Sequence, residues 1–124
     1  MLRYAKEAAI AVAAAGTLIV VAAPAVATTN SFGPQSWGNG TQTGRYRAHT
    51  GNHYITLGCS SGRYSIDLRV DVINDPDVSD GYYSFACNST GVVSGNYDSY
   101  LGNYRGHYMQ SHSSWYGSLK DTHS

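Results

Sequence analysis

Between Arg63 and Val72 the chain reads RYSIDLRVDV, and apolar and polar residues alternate without a break. Tyr64, Ile66, Leu68, Val70 and Val72 fall on one side, with Arg63, Ser65, Asp67, Arg69 and Asp71 on the other. A two-residue period of that length predicts an antiparallel strand with one face in a core and one in water. The outward charges alternate in sign, which discourages pairing with another molecule. A less regular version of the same period recurs on both sides. HYITLGC places Ile55, Leu57 and Cys59 on one face after a Thr50-Gly51-Asn52 turn, and YYSFAC groups Tyr83, Phe85 and Cys87. RYRAH from Arg45, VVSG, the stretch ending in HYM and SSWYGSLKD are further short strand candidates. Gly95-Asn96-Tyr97 recurs as Gly102-Asn103-Tyr104, and Gly-Asn suits tight turns that need positive φ. The reading is all-β: a small antiparallel sandwich or barrel of six to eight short strands, without a helix longer than one turn.

The ends of the chain read differently. Arg3 and Lys6 precede an almost wholly apolar run from Ala8 to Ala23, and Ala25-Val26-Ala27 has the small-x-small pattern of signal-peptidase sites. Residues 1–27 therefore read as a cleaved export leader. Thr28 to Ser124, about 97 residues, suffice for one domain, and secretion without membrane insertion is the expected fate. In an exported chain the two cysteines, Cys59 and Cys87, are expected to form one disulfide. Closing its loop of roughly 29 residues contributes about 3.5 kcal/mol on the chain-entropy estimate. A metal-binding or reactive pair would favour a closer, CxxC-like spacing.

Residues 28–44 show no periodicity and read as an extended N-terminal arm, leaving 45–124 as the compact body. From Ser31 to Gly44 the arm is uncharged and holds four glycines and one proline, yet it carries Phe32 and Trp37. The preferred reading is a peptide for another protein's groove, with Phe32, Pro34 and Trp37 as anchors. Alternatively the arm folds back and Trp37 covers an open sheet end.

Charge and chemistry narrow the function classes. Without the leader the chain has six basic residues, seven Asp and no Glu, a net charge of −1. Neither nucleic acid nor an anionic membrane is an expected partner. The lack of Glu argues against carboxylate-pair glycosidase chemistry. Asp67 and Asp71 read as solvated strand charges, while Asp75, Asp77 and Asp80 fall in a loop where Asp bonds locally; their spacing matches no established calcium loop. His49, His53, His107, His112 and His123 read as solvated turn residues in preference to a zinc site joining His49 or His53 to His107. The expectation is a protein with no catalytic residue, cofactor or metal. Tyr100, Tyr104, Tyr108, Trp115 and Tyr116 crowd the last third, too many for one inward face, and are the candidate partner-binding surface of the body.

Two resemblances attach to these residues. Tyr97-x-x-x-x-Gly102 is similar to the aromatic-to-glycine hairpin corner of βγ-crystallin domains, which makes a βγ-crystallin-like body the fold alternative. The family's acidic calcium motif is not matched, because Asn74-Asp75-Pro76-Asp77-Val78 lacks the closing Ser or Thr. The layout of leader, arm from Thr28 to Gly44, Tyr/Gly-rich body and single pair Cys59/Cys87 resembles the small secreted adaptors of actinobacterial umbrella toxin particles. That resemblance implies a non-catalytic adaptor in an antibacterial toxin complex. Its body would seat on a large repeat-containing toxin protein, and its arm, through Phe32 and Trp37, in a cell-surface-binding lectin subunit. The alternatives are a secreted hydrolase inhibitor presenting the Asn74 to Gly81 loop and a free-standing antibacterial protein; for the latter the low charge is unfavourable.

Overall fold

The structure is a computed structural model that describes residues 27–48, 50–95 and 104–124. Residues 1–26 of the expected leader, His49, Tyr100 and the Tyr97-to-Gly102 corner lie outside the described residues.

Among the described residues seven strands follow one another: β1 Thr28–Trp37, β2 Gly51–Gly58, β3 Arg63–Val72, β4 Val78–Ala86, β5 Thr90–Gly95, β6 Tyr104–Ser111 and β7 Trp115–His123. They form a four-stranded sheet in the order β1-β7-β2-β5 and a three-stranded sheet in the order β4-β3-β6, with antiparallel pairing throughout. The uninterrupted alternation of 63–72 is a strand over the same residues, with Ile66, Leu68, Val70 and Val72 buried. Cys59 follows β2 and Cys87 follows β4, so their disulfide joins the two sheets beside a bridge between Leu57 and Cys87.

The core changes character along β7, whose inward row is Trp115, Gly117, Leu119, Asp121 and His123. At one end Trp37, Trp115 and Tyr64 stack, with centroids 5.8 Å and 5.5 Å apart. The middle is aliphatic: Ile55, Leu57, Ile66, Leu68, Val93, Met109 and Leu119. The other end, about 27 Å along the strand, is polar, with Asp121 and His123 both buried.

Two expectations need correction. Residues Thr28–Trp37 are an edge strand paired with β7 from Thr28↔His123 to Trp37↔Trp115. Trp37 is 2% exposed and donates its indole N–H to the Gly117 carbonyl at 2.9 Å, while Phe32 packs on Tyr46. The arm thus folds back on its own domain. Its irregular pattern reflects a bulge between Phe32 and Gln35, where Gly33 takes φ +92 and any Cβ would meet the Gly117 carbonyl. The second correction concerns RYRAH, which is no regular strand. Residues 40–48 instead form a strap along β6: Gly40 N–H donates to the Ser111 carbonyl, Thr43 N–H to that of Met109, and Tyr46 and His107 exchange both backbone bonds.

Because Trp37 fills the apolar end of its own core, Trp37→Ala is expected to cost about 3–5 kcal/mol. Urea unfolding followed by tryptophan fluorescence measures this, and wild-type stability in the variant would place the side chain outside the core.

Candidate functional site

The polar end of the sandwich gathers side chains from six segments. His53 comes from β2, Asp80 from β4, Tyr104 and His107 from β6, Asp121 and His123 from β7, Tyr46 from the strap and Asn30 from β1. His53, His107 and Asp121 are 0% exposed and His123 is 2% exposed. These histidines are core residues, which corrects the expectation of solvated turn imidazoles.

Asp121 is the centre of the group. Its Oδ2 accepts from the Tyr46 hydroxyl at 2.6 Å and lies 2.5 Å from His53 Nδ1. Both contacts fall on one carboxylate oxygen and offset part of the cost of burying it, while Asp121 Oδ1 has no hydrogen-bond partner among the described residues. The other ring nitrogen of His53, Nε2, has no hydrogen-bond partner among the described residues. Gly95 packs directly against that edge of the ring, and any Cβ there would collide with it. His53 and His107 lie with centroids 4.6 Å apart, and His123 stands 5.5 Å from His53. His123 is held by Asn30 Oδ1 at 2.6 Å, a bond that ties β1 to the cluster.

Two bulges bring the remaining members inside. Leu68 pairs with Gly81 and Arg69 with Ser79, so Asp80 is an extra residue in β4. The bulge turns Asp80 toward the interior, where its Oδ2 lies 3.1 Å from His107 Nε2. On β6, Asp71 pairs with Gly106 and Val72 with Tyr104, leaving Arg105 as the extra residue. Tyr104 thereby faces inward and sets its hydroxyl 2.7 Å from His107 Nδ1. Sequence alternation reads Asp80 as a loop acid and Tyr104 as a surface contact. Both readings fail because a bulge shifts the phase of a strand by one residue.

His53 and His107 do meet, as the zinc-site alternative required, but no three His, Cys, Asp or Glu groups among the described residues converge to hold a metal ion. Burial pushes the His107 imidazole below its ordinary value of 6.5, against the opposing pull of Asp80. Burial first, then the adjacent Asp121 carboxylate, pushes the Tyr46 phenol well above 10.0. Both groups are held neutral in the folded protein at neutral pH.

A second network lies on the outer face of the three-stranded sheet. Asp67, only 4% exposed, accepts from Arg69 at 2.8 Å and from the Ser79 hydroxyl. Tyr108 is 2% exposed because Arg45 stacks over its ring at 3.7 Å, while its hydroxyl donates to Asp77 at 2.6 Å and accepts from Arg69. Burial opposes ionisation of Asp77, but the donors Tyr108 and Val72 N–H and the nearby Arg45 and Arg69 outweigh it and lower its carboxyl below 3.8. Tyr82, 54% exposed, leans on His112 with centroids 4.6 Å apart.

The outer face of the four-stranded sheet is different in kind. Its outward positions on β1, β7, β2 and β5 include Thr29, Ser31, Ser36, Tyr116, Ser118, Lys120, Thr122, Tyr54, Thr56, Thr90 and Ser94. No carboxylate is among the outward residues of these four strands, and Lys120 is their single cation. Hydroxyl pairs span neighbouring strands, Thr29 with Thr122 at 2.9 Å and Thr56 with Thr90 at 2.8 Å. Tyr116 is 64% exposed. Of the proposed body contacts it alone stands out in solvent among the described residues, since Tyr104, Tyr108 and Trp115 serve the interior or are covered.

Two outcomes test the buried cluster. An unfolded chain protonates His107 near 6.5 while the folded protein refuses that proton, so stability is full above about pH 6.5 and falls as pH drops below it. His107→Gln should be less stable at pH 7.5 yet lose less on going to pH 5, as thermal melts across that range will report; parallel pH slopes would contradict the assignment. Tyr46→Phe leaves Asp121 with one donor fewer and is expected to cost about 1–3 kcal/mol in denaturant titrations.

No family model, curated protein or solved structure matches the chain.

Proposed function

We propose that the protein is an exported, non-catalytic interaction module that joins two partner proteins, one at each outer sheet face. The observation that carries this reading is the contrast between those faces. One is a nearly uncharged field of hydroxyls that carries exposed Tyr116; the other is a cross-linked network of Arg, Asp and Tyr beside exposed Tyr82. The groups suited to acid–base chemistry, His53, His107 and Asp121, are sealed in the core. Tyrosine with small hydroxyl residues gives a contact surface large area at low entropy cost. A rigid double-sheet body with chemically distinct faces suits partners that must not compete.

This reading keeps the adaptor role implied by the umbrella-toxin resemblance, with a repeat-containing toxin and a lectin subunit as the two partners, but it changes the geometry. Phe32 and Trp37 are inward-facing, so the N-terminal segment contributes the outward Thr29, Ser31 and Ser36 to the hydroxyl face rather than a free peptide. One feature suits the inhibitor alternative. The loop after β3 has an exposed tip, Asn74 to Pro76, pinned by Asp77, whose carboxylate accepts from Val72 N–H and whose carbonyl accepts from Arg69. Such a tip is the rigid probe an active-site inhibitor needs.

The test is affinity capture from the producing organism's culture medium with wild type, Tyr116→Ala/Ser118→Lys and Tyr82→Ala as baits. Two recovered partners, each lost with a different variant, is the expected result. Loss of both or neither with each variant would defeat the two-faced reading, and recovery of a single hydrolase would favour the inhibitor.

A further inference from the structure

Among the described residues four strands form the sheet edges, and three of them are visibly protected. On β1, Pro34 lacks an N–H and sits in the bulge between Phe32 and Gln35. β6 is covered by the strap, whose backbone bonds to Ser111, Met109 and His107 occupy its outer side. β4 carries the Asp80 bulge, which breaks its register. The fourth edge, β5, is TGVVSG: six residues with no charge, no proline and no bulge, in continuous register with β2 from Gly51↔Gly95 to Thr56↔Thr90. A regular, uncharged edge, half of it β-branched, is a template for another strand, and natural sheets blunt such edges unless pairing is wanted.

We infer that β5 is an interface strand and that its occupant is β5 of a second copy, joining two four-stranded sheets into one of eight strands across a two-fold axis. The edge is self-complementary. An antiparallel pairing that keeps inward and outward faces aligned sets Val92 opposite Val92, Thr90 opposite Ser94 and Gly91 opposite Val93. A β-branched pair at the centre and hydroxyl pairs on either side are favourable cross-strand partners. Charge does not oppose it. Lys120 lies on β7, two strands from β5, so the two copies' lysines stand at least about 24 Å apart, beyond a Debye length of about 8 Å. The other edges are poor mates for β5, since each is bulged or covered. The interface is isologous and closes at two copies, which leaves no open edge to propagate. This inference does not rest on the adaptor reading.

Sedimentation velocity and light scattering on the purified protein from 1 to 200 μM test it, those limits being roughly what a weak to moderate interface requires. A concentration-dependent dimer is expected, with backbone amides of 90–95 exchanging more slowly as concentration rises. Val92→Lys places like charges directly opposite each other and should weaken dimerisation at least about tenfold while leaving the circular dichroism spectrum unchanged. The double variant Thr90→Lys/Ser94→Lys, which sets lysine opposite lysine on either side of the axis, serves the same purpose if Val92→Lys does not fold. A wild-type monomer throughout the range, or a dimer that a folded lysine variant leaves intact, overturns the inference.

Discussion

Asp121 is a carboxylate with no exposure to solvent, and the structure around it is organised by the need to satisfy it. Its Oδ2 draws the Tyr46 hydroxyl from the strap and His53 from β2. An uncompensated carboxylate in that position would cost several kcal/mol, so the strap and β2 are held in place by electrostatics as well as by packing. Through His53 the group contacts His107, and through His123 and Asn30 it reaches the edge strand β1. The polar end of the core thus fastens elements that the aliphatic middle does not connect. The Trp37–Trp115–Tyr64 stack fastens β1 at the opposite end by dispersion and burial.

Bulges are how the chain reconciles that requirement with strand geometry. A regular strand offers every second residue to the core. Asp80 and Tyr104 reach His107 because one extra residue in each of β4 and β6 changes the phase locally. The β1 bulge does the same at the surface, carrying Gly33 and Pro34 past Ser118 so that both Phe32 and Trp37 return to the interior. The same irregularities blunt β1 and β4 as pairing edges. Core chemistry and edge protection are therefore served by shared backbone features.

The two sheets share one core but present outer surfaces of two characters. Strands β3, β4 and β6 carry outward Arg, Asp and Tyr, which bind one another into a stiff layer. Strands β1, β2, β5 and β7 present Thr, Ser and Tyr with hardly any charge.

Alternation alone determined a good deal. β3 falls over the residues its sequence pattern marks, and β2, β4, β5 and β7 lie close to theirs, because period-two burial is a local property of the chain. The all-β class and the disulfide pairing Cys59 with Cys87 were likewise legible, the first from composition and the second from there being two cysteines. Other features were decided only by the tertiary structure. The segment Thr28–Trp37 carries no periodic signal, and it becomes a strand because β7 supplies an edge and Trp115 a ring to stack on. His53, His107 and His123 read as surface residues and Asp121 gives no sign of its central place. Polar side chains declare burial only when their partners are known, and those partners lie 68, 27, 93 and 75 positions away. Apolar burial is written in the spacing of neighbours along the chain. Polar burial depends on donors and acceptors that only the folded backbone brings within 3 Å or so of one another.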